Sequence, residues 1–197
     1  MVRRAIDVIA SSLLLVLGAP VLALAMLAIR LESPGPAIYR QRRAGMDGEM
    51  FDVLKLRTMV EGAEHKGAGL AIDANDPRIT RVGALLRRTS LDELPNLLNV
   101  LRGDMSLIGP RPTLPAQVEQ YTPRQRGRLA VRPGITGWAQ VNGRASLPWD
   151  ERIELDLFYI EHRSLSIDLR ILWRTVVIVL GGSGLYKGQD GGWKERT

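Results

Sequence analysis

Two adjacent carboxylates, Asp92 and Glu93, lie in the segment Ser90-Leu91-Asp92-Glu93-Leu94-Pro95. They are notable because the whole chain carries a formal net charge of +6. A carboxylate can attack phosphorus as a nucleophile or bind a hard cation such as Mg²⁺. The spacing of Ser90 and Glu93 also fits a capping box, which predicts that a helix begins here. Because a helix N-terminus favours ionised carboxylates and bound anions, we expect Asp92 to be ionised beside a phosphate.

Basic residues from three separate predicted elements, Lys55, Arg87 and Arg111, accompany this pair. Such an origin favours an anion site over a surface salt-bridge network, which is the commoner arrangement in basic proteins. The sequence pI of about 10.1 indicates an anionic partner, namely nucleic acid, an acidic membrane face or a phosphorylated substrate. The sequence has no Cys and only two His, which excludes a disulfide framework and a zinc centre. Neither a P-loop nor a dinucleotide-binding glycine pattern is present.

An uncharged, apolar run extends from Val8 to Ile29 and predicts a membrane element. As a helix it would be about 33 Å long, comparable to the hydrocarbon core of a bilayer at about 30 Å. Three topologies remain open from the residues: a cleaved signal peptide, a single span, and a re-entrant helix that returns to the side it entered. Basic residues flank both ends of the run, so the charge bias does not separate the two sides. Pro20, near the middle, favours a kink.

The remaining pattern predicts an α+β fold that is mainly helical. Ser33 to Pro36 ends the membrane element, and a small β-hairpin follows between Ala37 and Leu56. Helices are predicted for 76–88, 90–101, 114–128, 148–161 and 168–180, the last being core or an amphipathic helix in the membrane interface. A stiff segment, 103–112, delivers Arg111, and a glycine-dense segment, 132–144, is either a ligand-binding loop or a connector. These elements give a membrane helix (1–33), a catalytic domain (34–184) and a flexible tail (185–197).

Five ordered motifs resemble those of the bacterial sugar transferases, the monotopic phosphoglycosyl transferases. They follow a membrane helix that contains a proline, and together with it they extend over nearly the whole chain. The motifs are Lys55-Leu56-Arg57-Thr58-Met59, Asp76-Pro77-Arg78-Ile79-Thr80, 90–95, 103–112 and 132–144. The chain looks like a minimal catalytic form, since larger members carry additional spans before this unit.

The resemblance implies an enzyme on the cytoplasmic face of a bacterial inner membrane. It would transfer a sugar 1-phosphate from a UDP-sugar to polyprenyl (undecaprenyl) phosphate with Mg²⁺, releasing UMP. The resemblance also implies a re-entrant, monotopic N-terminal helix in contact with phospholipid, bent at a Ser-Pro pair whose serine is Ala19 here, so that only Pro20 remains to kink it. It leaves a homo-oligomer open and assigns no nucleic acid partner.

Individual roles follow from the same resemblance. Asp92 would attack the phosphate that carries the sugar and form a covalent intermediate, while Glu93 would hold Mg²⁺ or assist the second attack. The cationic positions around the phosphates match Lys55, Arg87 and Arg111. The nucleotide sugar would contact Gln140 and Arg144.

A second hypothesis from a different class is a membrane-tethered module that binds nucleic acid or acidic lipid. Steep weakening of binding by salt would distinguish it from the enzyme. Aromatic residues make up only 5% of the chain, which argues against stacking on single-stranded nucleic acid.

Overall fold

The computed structural model describes residues 2–65, 76–143 and 146–181. Within these ranges the chain is mainly helical with two small sheets, which confirms the predicted α+β class. The predicted tail and Arg144 lie outside the described residues. The elements are α1 (Val2–Glu32), β1 (Ile38–Ala44), β2 (Met50–Leu56), α2 (Arg81–Thr89), α3 (Asn96–Arg102), β3 (Ser106–Ile108), α4 (Pro115–Glu119), α5 (Pro123–Arg126), β4 (Gly134–Thr136), α6 (Trp138–Val141), α7 (Trp149–His162) and α8 (Leu165–Gly181), with 3₁₀ turns at Met46–Gly48, Ala63–His65, Leu91–Glu93 and Gly127–Ala130.

Helix α1 continues through Pro20 and packs one side against the rest of the chain. Gly18 faces the side chain of Leu94, and Met26 packs beside a buried cluster that includes Ile29 and Leu86. Within the described residues α1 is the one helix long and apolar enough to cross a membrane, with a mean hydropathy of 2.5 over its most apolar window. This confirms the predicted apolar helix, and its re-entrant course stays a prediction.

Polar side chains hold the N-terminal end of α1. Arg4 donates through Nη2 to the carbonyl of Leu101 at 2.9 Å, at the end of α3. The buried carboxylate of Asp7 accepts from the hydroxyl of Ser106 at 2.9 Å and from the N–H of Leu107 at 3.0 Å. This end of the apolar helix is therefore joined to α3 and β3.

The other end of α1 is held in the same manner. Glu32 accepts from the N–H groups of Arg81 at 2.7 Å and Val82 at 2.9 Å, which are free donors in the first turn of α2. Arg57, which follows β2, donates to the carbonyl of Ser33 at 2.8 Å. Both ends of α1 thus bind the same body of chain.

The predicted hairpin is present as an antiparallel pair of strands, β1 and β2. Tyr39 lies opposite Lys55, and Arg43 lies opposite Phe51. Because side chains alternate along a strand, these four residues lie on one face of the hairpin, while Arg42 lies on the other. The hairpin therefore places Lys55 and Arg43 on the same side.

A single amide continues the hairpin on its open edge. Asn99, which is 0% exposed, accepts from the N–H of Leu54 at 3.1 Å and donates to the carbonyl of Asp52 at 2.8 Å. Its side chain thus takes the place of a third strand along β2. An isolated two-stranded hairpin is marginally stable, so this contact with α3 fixes β2 in the molecule.

The predicted helix 76–88 begins later than its sequence indicates. Helix α2 starts at Arg81, because Ile79 forms an isolated β-bridge with Met59 and Thr80 caps the helix. The threonine hydroxyl accepts from the N–H of Gly83 at 2.9 Å. Proline at position 77 therefore lies before the helix rather than at its first position.

The predicted capping box at Ser90 is wrong. Ser90 is the left-handed C-cap of α2, with φ 56°, and its side chain caps no helix. Asp92 and Glu93 lie in the 3₁₀ turn that follows, and α3 begins at Asn96 rather than at 90. The carboxylates thus lie in a connection between two helices, which the spacing rule did not distinguish from a helix start.

The predicted helix 114–128 is also wrong, because the structure divides it into α4, α5 and a 3₁₀ turn. Pro115 and Pro123 each occupy a first helical turn, where the missing N–H costs nothing. Thr122 accepts from the N–H of Gln125 at 3.3 Å and so starts a new helix.

A small parallel sheet of β3 and β4 was not predicted. It forms where β4, in the glycine-dense segment 132–144, pairs with β3, in the segment 103–112 that leads to Arg111. A Cβ on Gly134 would lie 2.1 Å from the backbone nitrogen of Gly109, so only glycine allows this approach. The sheet directs the chain toward Arg111.

The two C-terminal helices agree with the predictions within a few residues. Helix α7 buries Ile153, Leu157 and Tyr159, and α8 packs through Ile171, which is 0% exposed. Most of the apolar side chains of α8 remain exposed, as an interfacial helix would require. Lipid contact by this helix stays a prediction. The exposed residues are Leu165, Leu169, Leu172, Trp173, Val176, Val177 and Leu180.

Candidate active site

Glu93 accepts hydrogen bonds from three side chains of different elements. Its Oε1 lies 2.6 Å from Lys55 Nζ and 3.0 Å from Arg111 Nη2, and its Oε2 accepts from Asn96 Nδ2 at 2.7 Å. Lys55 and Arg111 belong to β2 and to the segment after β3, as predicted, whereas Asn96 was not predicted. The structure therefore joins three of the predicted site residues in one contact.

The electrostatic environment keeps Glu93 ionised. Burial alone would raise the pKa of Glu93, but the charges of Lys55 and Arg111 and their hydrogen bonds outweigh it and hold the pKa well below its usual range. Burial lowers the pKa of Lys55, and Glu93 opposes that effect. The glutamate thus acts as a fixed negative charge that orients two cations.

Asp92 differs from its neighbour in having no fixed partner. No hydrogen bond or ion pair reaches its carboxylate from residues 2–65, 76–143 and 146–181. Burial raises the pKa of Asp92 to about 6, and the charge of Glu93 adds to the rise, while the cations Lys55, Arg87 and Arg111 oppose it. The predicted helix N-terminus that would favour ionisation of Asp92 is not there, because α3 begins at Asn96, and burial dominates the pKa instead. At pH 7 the carboxylate is still mainly ionised and has oxygens free for attack.

Arg87 approaches Asp92 from α2. Its Nε donates to the hydroxyl of Thr58 at 2.9 Å, just after β2, and its charge lowers the pKa of Asp92. A Cβ on Gly83 would lie 2.0 Å from the carbonyl oxygen of Thr58, so glycine is what lets α2 pack this closely. Close packing of α2 thus brings the third predicted cation to the site.

A buried network fixes the backbone that carries Arg111. Arg128 is 4% exposed and pairs through Nε with Asp156 Oδ2 at 2.6 Å. Its two Nη atoms donate to Thr113 Oγ1 at 2.8 Å, to Tyr121 Oη at 2.7 Å and to the carbonyl of Arg111 at 3.1 Å. Arg128 was not predicted as a functional residue, because nothing in the local pattern shows that it is buried or which carbonyl it reaches.

Gln140 is not part of the carboxylate cluster. Its Nε2 donates to the carbonyl of Ile135 at 2.9 Å, and its Oε1 is buried without a partner among the described residues. Its predicted contact with the nucleotide sugar stays a prediction, as does that of Arg144, which lies outside the described residues.

The described residues could give Mg²⁺ only one or two protein ligands. No group of three or more His, Cys, Asp or Glu side chains that could hold a metal occurs within 2–65, 76–143 and 146–181. Both oxygens of Glu93 already accept hydrogen bonds, whereas those of Asp92 do not. Mg²⁺ commonly binds one or two protein carboxylates and takes its other ligands from water and substrate phosphates. Asp92 is the better placed ligand of the pair, and bound phosphate would have to supply further oxygens.

Carboxylates surrounded by cations are groups that phosphoryl transfer can use, and the adjacent apolar helix is suited to a membrane. Comparison with known proteins gives the class: residues 1–182 match the model of the family described as bacterial sugar transferase. The chain belongs to that family and is a phosphoglycosyl transferase. A non-enzymatic module for nucleic acid or acidic lipid is therefore not favoured.

Individual relatives agree with this assignment. The chain is 49% identical to a UDP-glucose:undecaprenyl-phosphate glucose-1-phosphate transferase of Caulobacter vibrioides, over 93% of this chain and 72% of the relative. It is 41% identical to the uncharacterized sugar transferase EpsL of Bacillus subtilis, over 93% and 89%. An Escherichia coli enzyme with the same name as the Caulobacter one is 47% identical over 89% of this chain, which spans only 39% of that relative.

Proposed function

We propose that this protein transfers a sugar 1-phosphate from a UDP-sugar to undecaprenyl phosphate or a similar polyprenyl phosphate, releasing UMP. The observation that carries the proposal is the carboxylate of Asp92, which lies half-buried near the charges of Lys55, Arg87 and Arg111 and is held by no hydrogen bond from the described residues. Two relatives are named for this reaction with UDP-glucose. The reaction would begin the membrane stage of glycoconjugate or polysaccharide assembly.

The chemistry proceeds in two displacements. In the first, a carboxylate oxygen of Asp92 bonds to the phosphorus that carries the sugar, and the bond from that phosphorus to the oxygen of the UMP phosphate breaks. UMP leaves with the bonding electrons, and an acyl phosphate remains on Asp92. In the second, an oxygen of polyprenyl phosphate bonds to the same phosphorus and the carboxylate is released.

The cations stabilise both displacements. Lys55, Arg87 and Arg111 surround the carboxylates, where they can neutralise charge on the transferring phosphate. Glu93 keeps Lys55 and Arg111 in place by accepting from both. When bound, Mg²⁺ would neutralise further charge on the diphosphate, with Asp92 and Glu93 as its candidate protein ligands.

A lipid-free assay tests the proposal directly. Purified protein given Mg²⁺ and a set of UDP-sugars should release about one UMP per active site without lipid and retain the sugar phosphate on the protein. Adding polyprenyl phosphate should then discharge the label and start turnover. Turnover that needs both substrates at once, with no UMP in the absence of lipid, would contradict the covalent route.

The membrane helix belongs to the same proposal. Both ends of α1 bind the catalytic body, through Arg4 and Asp7 at one end and Glu32 at the other. Because one body holds both ends, they would lie on the same side of a membrane, which supports the proposed monotopic, re-entrant course. The cytoplasmic face is part of the same proposal. A polyprenyl phosphate has its headgroup at that surface, so spanning is unnecessary.

Cysteine labelling checks this topology, since the chain has no native Cys. We expect Val2→Cys and Glu154→Cys to react together with an impermeant maleimide in inverted inner-membrane vesicles, and neither to react in intact spheroplasts. Reaction of Val2→Cys alone in spheroplasts would show that α1 spans the membrane.

A further inference from the structure

We propose that Arg43 binds the phosphate of the departing nucleotide in the donor site. Its side chain lines one small cavity together with Lys55, Glu93 and Arg111, next to the carbonyl side of Pro112. The inference rests on the proposed function for the identity of the anion. It adds a fourth cation, on β1, that neither the motif series nor the carboxylate contacts assign.

The hairpin register explains how Arg43 reaches this cavity. Antiparallel pairing puts Gln41 opposite Val53 and Tyr39 opposite Lys55, so Arg43 shares a face with Lys55. Arg42 projects to the other face, where it forms an exposed ion pair with Asp52 at 3.6 Å. Two adjacent arginines of one strand are therefore directed to different surroundings.

The partners of Arg43 orient it without neutralising it. Its Nε and Nη2 both donate to Gln41 Oε1, at 3.1 Å and 2.5 Å, and its Nη1 donates to the carbonyl of Pro112 at 3.2 Å. Across residues 2–65, 76–143 and 146–181 no carboxylate forms an ion pair with it, whereas Lys55 and Arg111 both pair with Glu93. Burial lowers the pKa of Arg43 to about 10 and the nearby charge of Arg111 adds to the effect, so it remains charged at neutral pH.

The charges of the site therefore favour an anion beside Arg43. In this cavity Arg43, Lys55 and Arg111 stand against the carboxylate of Glu93, and Arg43 is the one of these three cations whose hydrogen-bond partners are all neutral. Three of its five N–H groups donate to Gln41 and Pro112, which leaves one N–H on each Nη to donate to a phosphate. The diphosphate of a nucleotide sugar supplies the missing negative charge.

Position within the fold selects the nucleotide phosphate over the lipid phosphate. Ala44, next to Arg43, packs into a cluster with Val118 and Tyr121 that contains no residue of α1. The residues next to Arg87 and Asp92 instead pack on the membrane helix, since Leu86 and Leu91 share a cluster with Ile29. The lipid substrate arrives beside α1, so Arg43 lies on the side from which the water-soluble nucleotide enters and leaves.

Binding of UDP and UMP to the purified full-length protein tests the assignment without requiring turnover. We expect Arg43→Met to weaken UDP binding by about ten- to a hundredfold, the usual effect of losing a hydrogen-bonded charge on a phosphate. The KM for the UDP-sugar should rise in step, while the KM for polyprenyl phosphate stays unchanged. Arg43→Lys keeps the positive charge but lacks the planar N–H donors of the guanidinium, so it should bind UDP more tightly than Arg43→Met and less tightly than the native protein.

Arg42→Met is the matched control, because it removes the neighbouring arginine from the opposite face of the same strand. It should bind UDP as the native protein does. Equal UDP affinity in Arg43→Met and Arg42→Met, or a rise only in the KM for polyprenyl phosphate, would overturn the inference. Should Arg43→Met not fold, the thermal stabilisation by UDP gives a second measurement, and it should be smaller in Arg43→Lys than in the native protein. Failure of the native protein to release UMP from any UDP-sugar would instead refute the proposed function.

Discussion

Asp92→Asn is expected to abolish both UMP release and covalent attachment of the sugar phosphate. Asparagine is nearly isosteric, but its amide cannot form the acyl phosphate that the first displacement requires. Loss of a nucleophile typically lowers the rate by at least about a thousandfold. Intact-protein mass spectrometry after incubation with UDP-sugar should show the added mass in the native protein and not in the variant.

Stability separates this effect from unfolding. Because burial raises the pKa of Asp92, its charged form is costly in the folded state, and removing the charge should not lower the unfolding temperature. Asp52→Asn, which removes an exposed carboxylate of β2, should label and turn over as the native protein does. Full labelling of Asp92→Asn would end the assignment of Asp92 as nucleophile.

Glu93→Gln is expected to impair the site differently. The neutral amide leaves Lys55 and Arg111 without their shared carboxylate, and breaking a partly buried ion pair from one side is destabilising. With the side chain of Glu93 one-fifth exposed, at 20%, we expect a loss of about 2–3 kcal/mol in the free energy of unfolding. The rate should fall about a hundredfold or more, because two cations are no longer oriented.

The same substitution should alter the titration of Asp92. The native pKa is raised to about 6 by burial and then by the charge of Glu93, so removing that charge should lower it. Carboxyl ¹³C NMR of metal-free protein, with Asp92→Asn to assign the signal, measures the change. Glu154→Gln is the control. Glu154 lies on α7 and forms an exposed ion pair with Arg124 of α5, so its replacement should leave the stability, the rate and the pKa of Asp92 unchanged. An Asp92 pKa that stays the same or rises in Glu93→Gln would contradict the electrostatic account.

The parts of the fold that the sequence predicted are those encoded locally. Alternation and turn residues predicted the hairpin, and helical periodicity predicted α7 and α8 to within a few residues. The start of α2 could not be predicted, since Met59 and Glu32 come from distant parts of the chain to pair with Ile79 and to cap the helix. Ser90 shows the same limit, because a capping-box spacing does not reveal a left-handed residue.

In the candidate site, too, the residues could be predicted but the distant contacts that position them could not. The resemblance predicted Lys55, Arg87 and Arg111, and the structure places their charges around Asp92 and Glu93. The contacts that hold these residues in place come from distant parts of the chain, and the sequence did not predict them.

Asn99 attaches β2 to α3, and Arg128 holds the backbone of Arg111. Neither residue type signals such a role. Arg43 could have been found, since antiparallel pairing of the predicted strands already puts it on the face of Lys55.

The contacts at both ends of α1 have a consequence for how this enzyme could be produced without a membrane. Cutting the chain after residue 33 would remove more than an apolar anchor. The fragment would lose the carboxylate that satisfies the first turn of α2, the aspartate that binds β3 and the arginine that caps α3. Those three elements carry or adjoin Arg87, Arg111 and the carboxylate pair. We therefore expect truncation after residue 33 to destabilise the elements that carry the reaction centre as well as to remove the apolar helix.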